Sequence, residues 1–414
     1  MRPRSRALRL GVLLVLALLG PDAATGQALS LQEVQQQALL HHPRVIAARK
    51  TWEAARARQR GARLPPDPHL SLEYEGLTSF QAPYGERNLE LSQVLEFPGK
   101  PRFRSRLAGY QAQLAEADYE ALRLEITAAA SAACGRLWAA RDLLSRAGEN
   151  LRLAEDFRDK TQKRVEAGDA SPLEVLRAEV EAGRVAAEQA TAANQLQFAR
   201  AELNALLGQA PDAPLEVSGG LEYQPLRTEL PLLQKRALEQ RPDLCAADLR
   251  TRAARAGEGL SRAGLVPDLE VSAGRQHVRQ EDRYWRTGVA LTLPLWSVPA
   301  QRGVLAGAQA EAAAAEALQA GRRNQALLEV QEAYLEVRTA EIRLLLYRDR
   351  VVPRAEEGYQ LARRSYDEGA SSYLEILDAG RALAEARLVL VQALLDHHLA
   401  LARLTQAVGD HLNE

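Results

Sequence analysis

A chain of 414 residues with 53 basic and 54 acidic side chains carries a formal net charge of −1. No basic excess is available to neutralise phosphates, so nucleic acid is not an expected partner. The chain contains one Met, the initiator, which excludes a Met-rich copper path.

The N-terminus has the pattern of a secretory signal peptide. Four arginines precede an apolar run at 11–20, and Ala24 and Gly26 occupy the −3 and −1 positions of a cleavage site. The sequence thus predicts a signal peptide over 1–26. The alternative is a retained membrane anchor, for which the apolar run is short. Cleavage removes four Arg and one Asp and leaves 49 basic and 53 acidic residues.

The segments that follow predict a first structural repeat over 27–220. It begins with a helical stretch near 29–63, and period-2 alternation near 69–76 and 88–97 then predicts two β-strands. A long helix over 101–166 and a short helix over 172–207 complete the unit. At about 1.5 Å per residue the long helix would span on the order of 100 Å.

The second half of the chain repeats this order. The segment GDASPLEVL at 168–176 recurs as GASSYLEIL at 369–377, an offset of 201 residues. Self-similarity at a fixed offset predicts a second copy of the unit over 221–414. Its predicted elements are a helical stretch near 231–264, strands near 268–278 and 285–296, a long helix over 301–366 and a short helix over 373–409.

Heptads in the last helix indicate how the helices pack. One row of positions, seven residues apart, is apolar except for His397, and a second row is Ala throughout, from Ala379 to Ala407. A sustained heptad with one small row predicts closely packed coiled-coil helices. An ordinary amphipathic helix on a globular core, the alternative, would drift off a strict seven-residue repeat. On this seam His397 is predicted to be a packed histidine and not a metal ligand.

The four predicted strands each carry one apolar and one polar face. The fourth shows it best: Trp285, Val289 and Leu291 alternate with Arg286, Gly288 and Ala290. A small soluble sheet with one buried face is one interpretation, and a membrane barrel with a wet lumen is the other. Four strands cannot close a barrel, and open sheet edges do not survive in hydrocarbon. A membrane barrel would therefore need several chains, and three chains would supply twelve strands.

The whole mature chain resembles the TolC family of outer-membrane efflux proteins. The resemblance is carried by the two Gly-x-x-Ser-x-Leu-Glu-x-Leu turns, by RPDL around Pro242, and by LSQVLEFPGKPRFR at 91–104. This last segment resembles the heavy-metal (cobalt–zinc–cadmium) branch.

The resemblance implies a mainly α fold, in which long antiparallel coiled-coil helices form an α-barrel in the periplasm. The four strands of each chain would contribute to a trimeric twelve-stranded β-barrel in outer-membrane lipid, with a belt at 208–229. The implied partners are two further copies of the chain, a periplasmic adaptor (membrane fusion) protein and an inner-membrane pump. The implied function is passive efflux of substrates, heavy-metal cations above all, to the exterior.

The resemblance also implies functional residues near the two helical turns. Glu375 and Asp378 would form an acidic ring at the periplasmic entrance, a device that favours cations. Tyr366 and Glu174 would form a latch that holds the entrance closed. A second family latch uses an arginine where this chain has Ser371. The tip turns that would dock the adaptor comprise Gly168, Ser171, Pro172, Leu173, Gly369, Ser372, Tyr373 and Leu374.

Other functions find less support in the sequence. The tandem pairs His41-His42 and His397-His398 lack the i, i+4 spacing of a helical metal site, and no nucleophile elbow or phosphate loop is present. An enzyme, a cofactor and a resident metal are therefore not expected. Multidrug efflux or type I secretion by the same fold stays open, as does a periplasmic coiled-coil adaptor, although an adaptor would lack the paired strands.

Two cysteines, Cys134 and Cys245, lie singly in helical patterns. In an oxidising compartment they could pair. The interpretation that we favour is two small side chains buried in helix packing.

Overall fold

The computed structural model describes residues 28–75, 86–168, 170–278, 283–292 and 298–409. The predicted signal peptide, 1–26, lies outside the described residues, as do positions 76 and 293–296 of the predicted strands. The described part is mainly helical with one antiparallel sheet.

The described residues of the first half form four helices and two strands. Ser30 begins the first helix with a capping box, because its hydroxyl accepts from the Glu33 N–H while the Glu33 carboxylate accepts from the Ser30 N–H. Pro43 occupies the first turn of the second helix, where a missing N–H costs nothing. The elements are α1 (Leu31–His41), α2 (Pro43–Gly61), β1 (His69–Glu75), β2 (Glu86–Leu95), α3 (Gly99–Glu166) and α4 (Pro172–Leu206).

The second half has the same order with one difference in its long helix. The elements are α5 (Leu230–Gln240), α6 (Pro242–Ala263), β3 (Leu269–Val278), β4 (Arg283–Leu291), α7 (Val298–Leu346), α8 (Val352–Asp367) and α9 (Tyr373–Val408). A five-residue π-helical segment, Tyr347–Val351, separates α7 from α8. The single helix predicted over 301–366 is therefore interrupted.

Pro353 accounts for the position of this interruption. Proline has no N–H to donate to the carbonyl four residues earlier, and its ring crowds that carbonyl. Directly before it, the Val352 N–H donates to the Tyr347 carbonyl, five residues back instead of four. A π turn inserts one extra residue and so absorbs the misfit without ending the helix.

The strands form one sheet in the order β1-β2-β3-β4, and every neighbouring pair is antiparallel. Since directly opposite residues share a face, the register places Leu72 beside Leu89 and Leu269 beside Leu291. One face carries Leu70, Leu72, Tyr74, Leu89, Leu91, Leu269, Val271, Trp285, Val289 and Leu291. The other face is mainly polar.

The helices pack through small and apolar residues. In the first half Val34, Ile126, Ala130 and Leu203 are buried in one cluster. In the second half the heptad residues Leu404 and Ala407 of α9 pack with Val330, Ala333 and Val337 of α7. His397 is buried on the same seam, where its Nε2 lies 2.9 Å from the Gln224 carbonyl oxygen and donates to it.

One described helix, α9, is long and apolar enough to cross a membrane by length and composition. It packs along α7, α8 and α3, and its heptad residues Ile376, Leu383 and Leu404 are buried. We therefore assign its hydropathy to helix packing.

Both cysteines are free. Cys134 is buried in α3, and burial raises the pKa of its thiol to about 12. Cys245 is exposed on α6, so the expectation of two buried cysteines holds for only one. The Cys245 side chain faces solvent, whereas the nearby residues Arg241 and Ala246 are buried.

Candidate functional site: the helical tip and the sheet

Two equivalent turns close the end of the helices that lies farthest from the sheet. Gly168 and Gly369 adopt positive φ angles of 85° and 75°, which glycine accepts without strain. In the first turn the Leu173 N–H donates to the Ser171 hydroxyl at 3.3 Å, so Ser171 caps α4. Ser372 occupies the same place before α9, but its side chain makes no capping hydrogen bond.

The residues predicted to dock an adaptor divide into two groups. Leu173 and Leu374, which occupy equivalent positions, are each 52% exposed and form apolar projections at the tip. Tyr373, in contrast, is only 4% exposed. Its ring packs 5.3 Å from that of Phe157, so the structure places it inside the tip and away from the surface that we expected to dock.

The hydrogen bond predicted between Tyr366 and Glu174 is not formed within the chain. The Tyr366 ring is 6% exposed and lies 5.3 Å from the Phe157 ring, with the Arg164 guanidinium 4.7 Å from its centroid. The hydroxyl is buried without a hydrogen-bond partner among the described residues. Aromatic packing, which sequence offsets cannot reveal, turns this side chain inward.

Glu375 and Asp378 are both exposed in the first turns of α9, on either side of the buried Ile376. Neither forms an ion pair with a described residue. The two carboxylates are therefore available to solvent at the tip. The described residues contain no cluster of His, Cys, Asp and Glu arranged to hold a metal ion.

A buried carboxylate near the tip was missed by sequence reasoning. Glu181 of α4 is 8% exposed and accepts from Arg184 at 2.6 Å and from Arg381 of α9 at 2.5 Å. Burial raises the pKa of Glu181, but the hydrogen bonds and charges of the two arginines outweigh burial and lower it to about 2. Glu181 and Arg381 lie 200 residues apart on different helices; only the fact that position 181 adjoins the buried heptad position 182 hinted at a buried acid.

The sheet at the opposite end exposes its apolar face. Trp285 is 77% and Val289 74% exposed, and Leu70 and Leu72 are also exposed. Exposed contiguous apolar surface on a sheet marks contact with lipid or with another protein. Together with strands that alternate apolar and polar residues, this arrangement defines an outer-membrane, channel-forming class of protein.

Comparisons with known proteins identify the family within this class. The family model described as "Outer membrane efflux protein" matches twice, over residues 34–209 and 233–410, and the chain belongs to this family. It is therefore an outer-membrane efflux channel of the TolC type. The resemblance to the TolC family is confirmed, and so is the predicted mainly helical fold with four antiparallel strands.

Individual relatives show the breadth of the family. The cobalt-zinc-cadmium resistance protein CzcC of Cupriavidus metallidurans is 27% identical over 88% of this chain and 86% of its own length. The toluene efflux pump outer membrane protein TtgF of Pseudomonas putida is 29% identical over 84% of this chain and 72% of its own. The crystal structure of CusC superimposes with a TM-score of 0.79 at 20% identity, covering 92% of each chain.

Proposed function

We propose that three copies of this chain assemble into one duct, with their sheets pooled into a twelve-stranded barrel. The observation that carries this proposal is the four-stranded sheet itself. Its outer strands, β1 and β4, each have one strand neighbour among the described residues, and its apolar face is exposed. An unpaired strand edge in lipid leaves backbone N–H and C=O groups without partners, whereas closure with further copies pairs them.

The helical tip is the proposed docking site for a periplasmic adaptor and, through it, an inner-membrane pump. Leu173 and Leu374 support this role, because paired apolar projections on equivalent turns offer two similar contacts to one partner. The capped turn at Gly168, Ser171 and Pro172 and the turn at Gly369 and Ser372 would present these leucines.

Heavy-metal cations are the proposed substrates. The polar face of the sheet carries Glu73, Glu75, Glu86, Glu90 and Glu270 against Arg286, so a lumen lined by this face would be acidic. Glu375 and Asp378 would add carboxylates at the entrance. Rings of acidic side chains favour cations, which agrees with the name of the cobalt-zinc-cadmium relative. Efflux of apolar compounds is the second candidate, because of the toluene efflux relative.

Crosslinking in detergent and planar-bilayer recordings test the assembly. We expect a crosslinked trimer and discrete channels that prefer cations. Replacing Glu375 and Asp378 together by Gln should reduce this preference, while Glu239→Gln, which removes an exposed charge on α5, should not. A stable folded monomer without channel activity would contradict the proposal.

Growth assays test the substrate. A strain that lacks the gene should become sensitive to cobalt, zinc or cadmium and recover with the wild-type gene. Sensitivity to toluene alone would replace the metal assignment by the second candidate.

A further inference from the structure

The apolar face of the sheet carries two arginines near the strand ends that lie farthest from the helices. Arg87 of β2 lies directly opposite His277 of β3, and Arg275, two residues before His277, lies opposite Trp285 of β4. Side chains at opposite or diagonal positions of neighbouring strands are within reach of one another. Arg87 and Arg275 are both exposed, so they form a basic patch on a face that is otherwise largely apolar.

The acidic residues of the described strands lie on the opposite face. One of them, Glu86, accepts from the Gln276 side chain at 2.8 Å on that polar face. Arg275 instead lies over an aromatic ring, because its guanidinium carbon is 6.0 Å from the centroid of Trp285. A cation–π contact holds a guanidinium without engaging all of its five N–H groups. The basic patch therefore keeps donors for an anion that comes from outside the sheet.

The height of the basic patch matches the border of a membrane. From Leu269, at the end of β3 nearest the helices, to His277 is eight residues. At about 3.4 Å per residue and a strand tilt of about 40°, this length rises by about 21 Å. The apolar band of a membrane barrel is about 25 Å tall and is bordered by aromatic residues. Trp285 and Tyr74 lie on the same face at the level of the arginines, as border residues do.

The chemistry of arginine at this border favours phosphate. A charged side chain on a lipid-facing surface is costly at the bilayer centre but nearly neutral at the border, where it can extend to the headgroups. The guanidinium is always charged, and its planar N–H groups pair bidentately with phosphate oxygens. Because the proposed duct has its helical tip in the periplasm, the strand ends that carry Arg87 and Arg275 would lie in the outer leaflet.

We propose that Arg87 and Arg275 bind the phosphate groups of a lipid in the outer leaflet of the membrane. This inference rests on the proposed function, because it requires the apolar face of the sheet to contact lipid. A lipid fits better than a free anion, because the exposed side chains of Leu89 and Trp285 adjoin the arginines and would contact its acyl chains. A duct of three chains would have three such sites around its barrel.

Lipid titration of purified trimers in a neutral detergent tests the proposal. The probes are diphosphorylated lipid A and lipid A from which the phosphates have been removed, and mass spectrometry of intact trimers counts the bound lipid. Arg87→Gln and Arg275→Gln should each weaken binding of the diphosphorylated probe by about 10-fold, the factor that a hydrogen bond to a charged group typically supplies. Equal affinity of the wild type for both probes would overturn the proposal, as would wild-type affinity in both variants.

A matched control removes an arginine from the other face of the same sheet. Arg286 follows Trp285 in β4 and lies on the polar face, so Arg286→Gln should bind the diphosphorylated probe as the wild type does. If Arg286→Gln weakens binding as strongly as Arg275→Gln, the net charge of the protein explains the effect and the site is refuted. Displacement of the lipid by millimolar inorganic phosphate would also overturn the proposal, since it would show a site for a free anion.

Crosslinking and channel recording of the same samples separate this proposal from the proposed function. The two variants should form trimers and conduct as the wild type does, because Arg87 and Arg275 lie on the face turned away from the lumen. Absence of trimers and channels from the wild type would refute the duct. Trimers that conduct normally but bind both probes alike would refute the lipid site and leave the duct standing.

Discussion

The two halves of the chain share one order of elements, yet they differ where their short helices meet. In the first half His42 precedes Pro43, is half-buried, and accepts from the Arg44 N–H at 3.2 Å. In the second half Arg241 precedes Pro242 and is buried. The same helix junction is thus closed by a local cap in one half and by a charged network in the other.

The middle of the long helices differs in the same sense. In α3 the packing is apolar around Cys134 and Trp138, and Gly135 leaves room for the His398 ring of α9. In α7 the Tyr223 hydroxyl donates to Glu341 at 2.6 Å, and Arg338 pairs with the same carboxylate at 2.8 Å.

A polar network can exchange partners more easily than an apolar core can repack, because packed interiors resist deformation. The second half has this network beside the π segment, and the first half has an unbroken helix of 68 residues. The comparison indicates that the helices of the first half are the more rigid and those of the second half the more deformable.

Arg241→Ala is expected to have the largest effect on stability. Arg241 donates to the Ala407 carbonyl and pairs with Asp243 at 2.8 Å and Glu329 at 2.6 Å. Removal of the Arg241 side chain would leave the partly buried carboxylates of Asp243 and Glu329 with only Arg322 as an ionic partner. We expect a loss of about 3–5 kcal/mol in the free energy of unfolding. Chemical unfolding of the purified protein in detergent measures this loss of stability.

The matched variant in the first half is His42→Ala. It removes only a helix cap, which typically costs about 1 kcal/mol. Equal losses in the two variants would mean that the junctions do not differ as the structure indicates.

Gly135→Ala tests the contact between α3 and α9. A Cβ at this position would lie 2.4 Å from the Cδ2 atom of His398, so the ring must move, and overpacking of this kind costs about 1–3 kcal/mol. Gly148→Ala in the same helix is the control, because its nearest neighbour, Gln189 Nε2, is 3.4 Å away. Gly148→Ala should be neutral or stabilising; destabilisation by both variants would point to α3 itself and not to His398.

Periodicity and repetition predicted much of this fold, because they depend on local chemistry. Alternation located the strands, and the equivalent glycines, Gly168 and Gly369, located both turns. The π segment was not predicted, since Pro353 alone does not say whether a helix ends, bends or inserts a residue. The site was predicted less well: Tyr366 and Tyr373 point inward because Phe157, on another helix, packs between them.

Hydrogen exchange followed by mass spectrometry compares the two long helices directly. Backbone amides of the π segment, Tyr347–Val351, should exchange several-fold faster than those at 146–150, the equivalent positions in α3. The weaker hydrogen-bond geometry of a π turn lowers the free energy of local opening. Equal protection would show that the interruption does not make the second half more deformable.

The smallest expected effect is that of mild acid on the tip. Glu181 faces Arg184 and Arg381, Glu188 reaches it through Arg184, and Tyr373 lies nearby. The pKa of Glu181 is about 2 in the folded chain against 4.5 ordinarily. A lowered pKa stabilises the folded arrangement above the ordinary value and loses this contribution as the pH falls through the folded value. The open probability should therefore stay constant from about pH 7 to 5 and rise only as the pH falls below about 4.5. The wild type must be compared with Glu181→Gln, which separates the response of this carboxylate from that of the rest of the protein. The variant has no carboxylate at this position to protonate and should show the smaller acid response. Identical responses in both proteins would mean that acid acts elsewhere in the protein and that the buried ion pair does not govern opening.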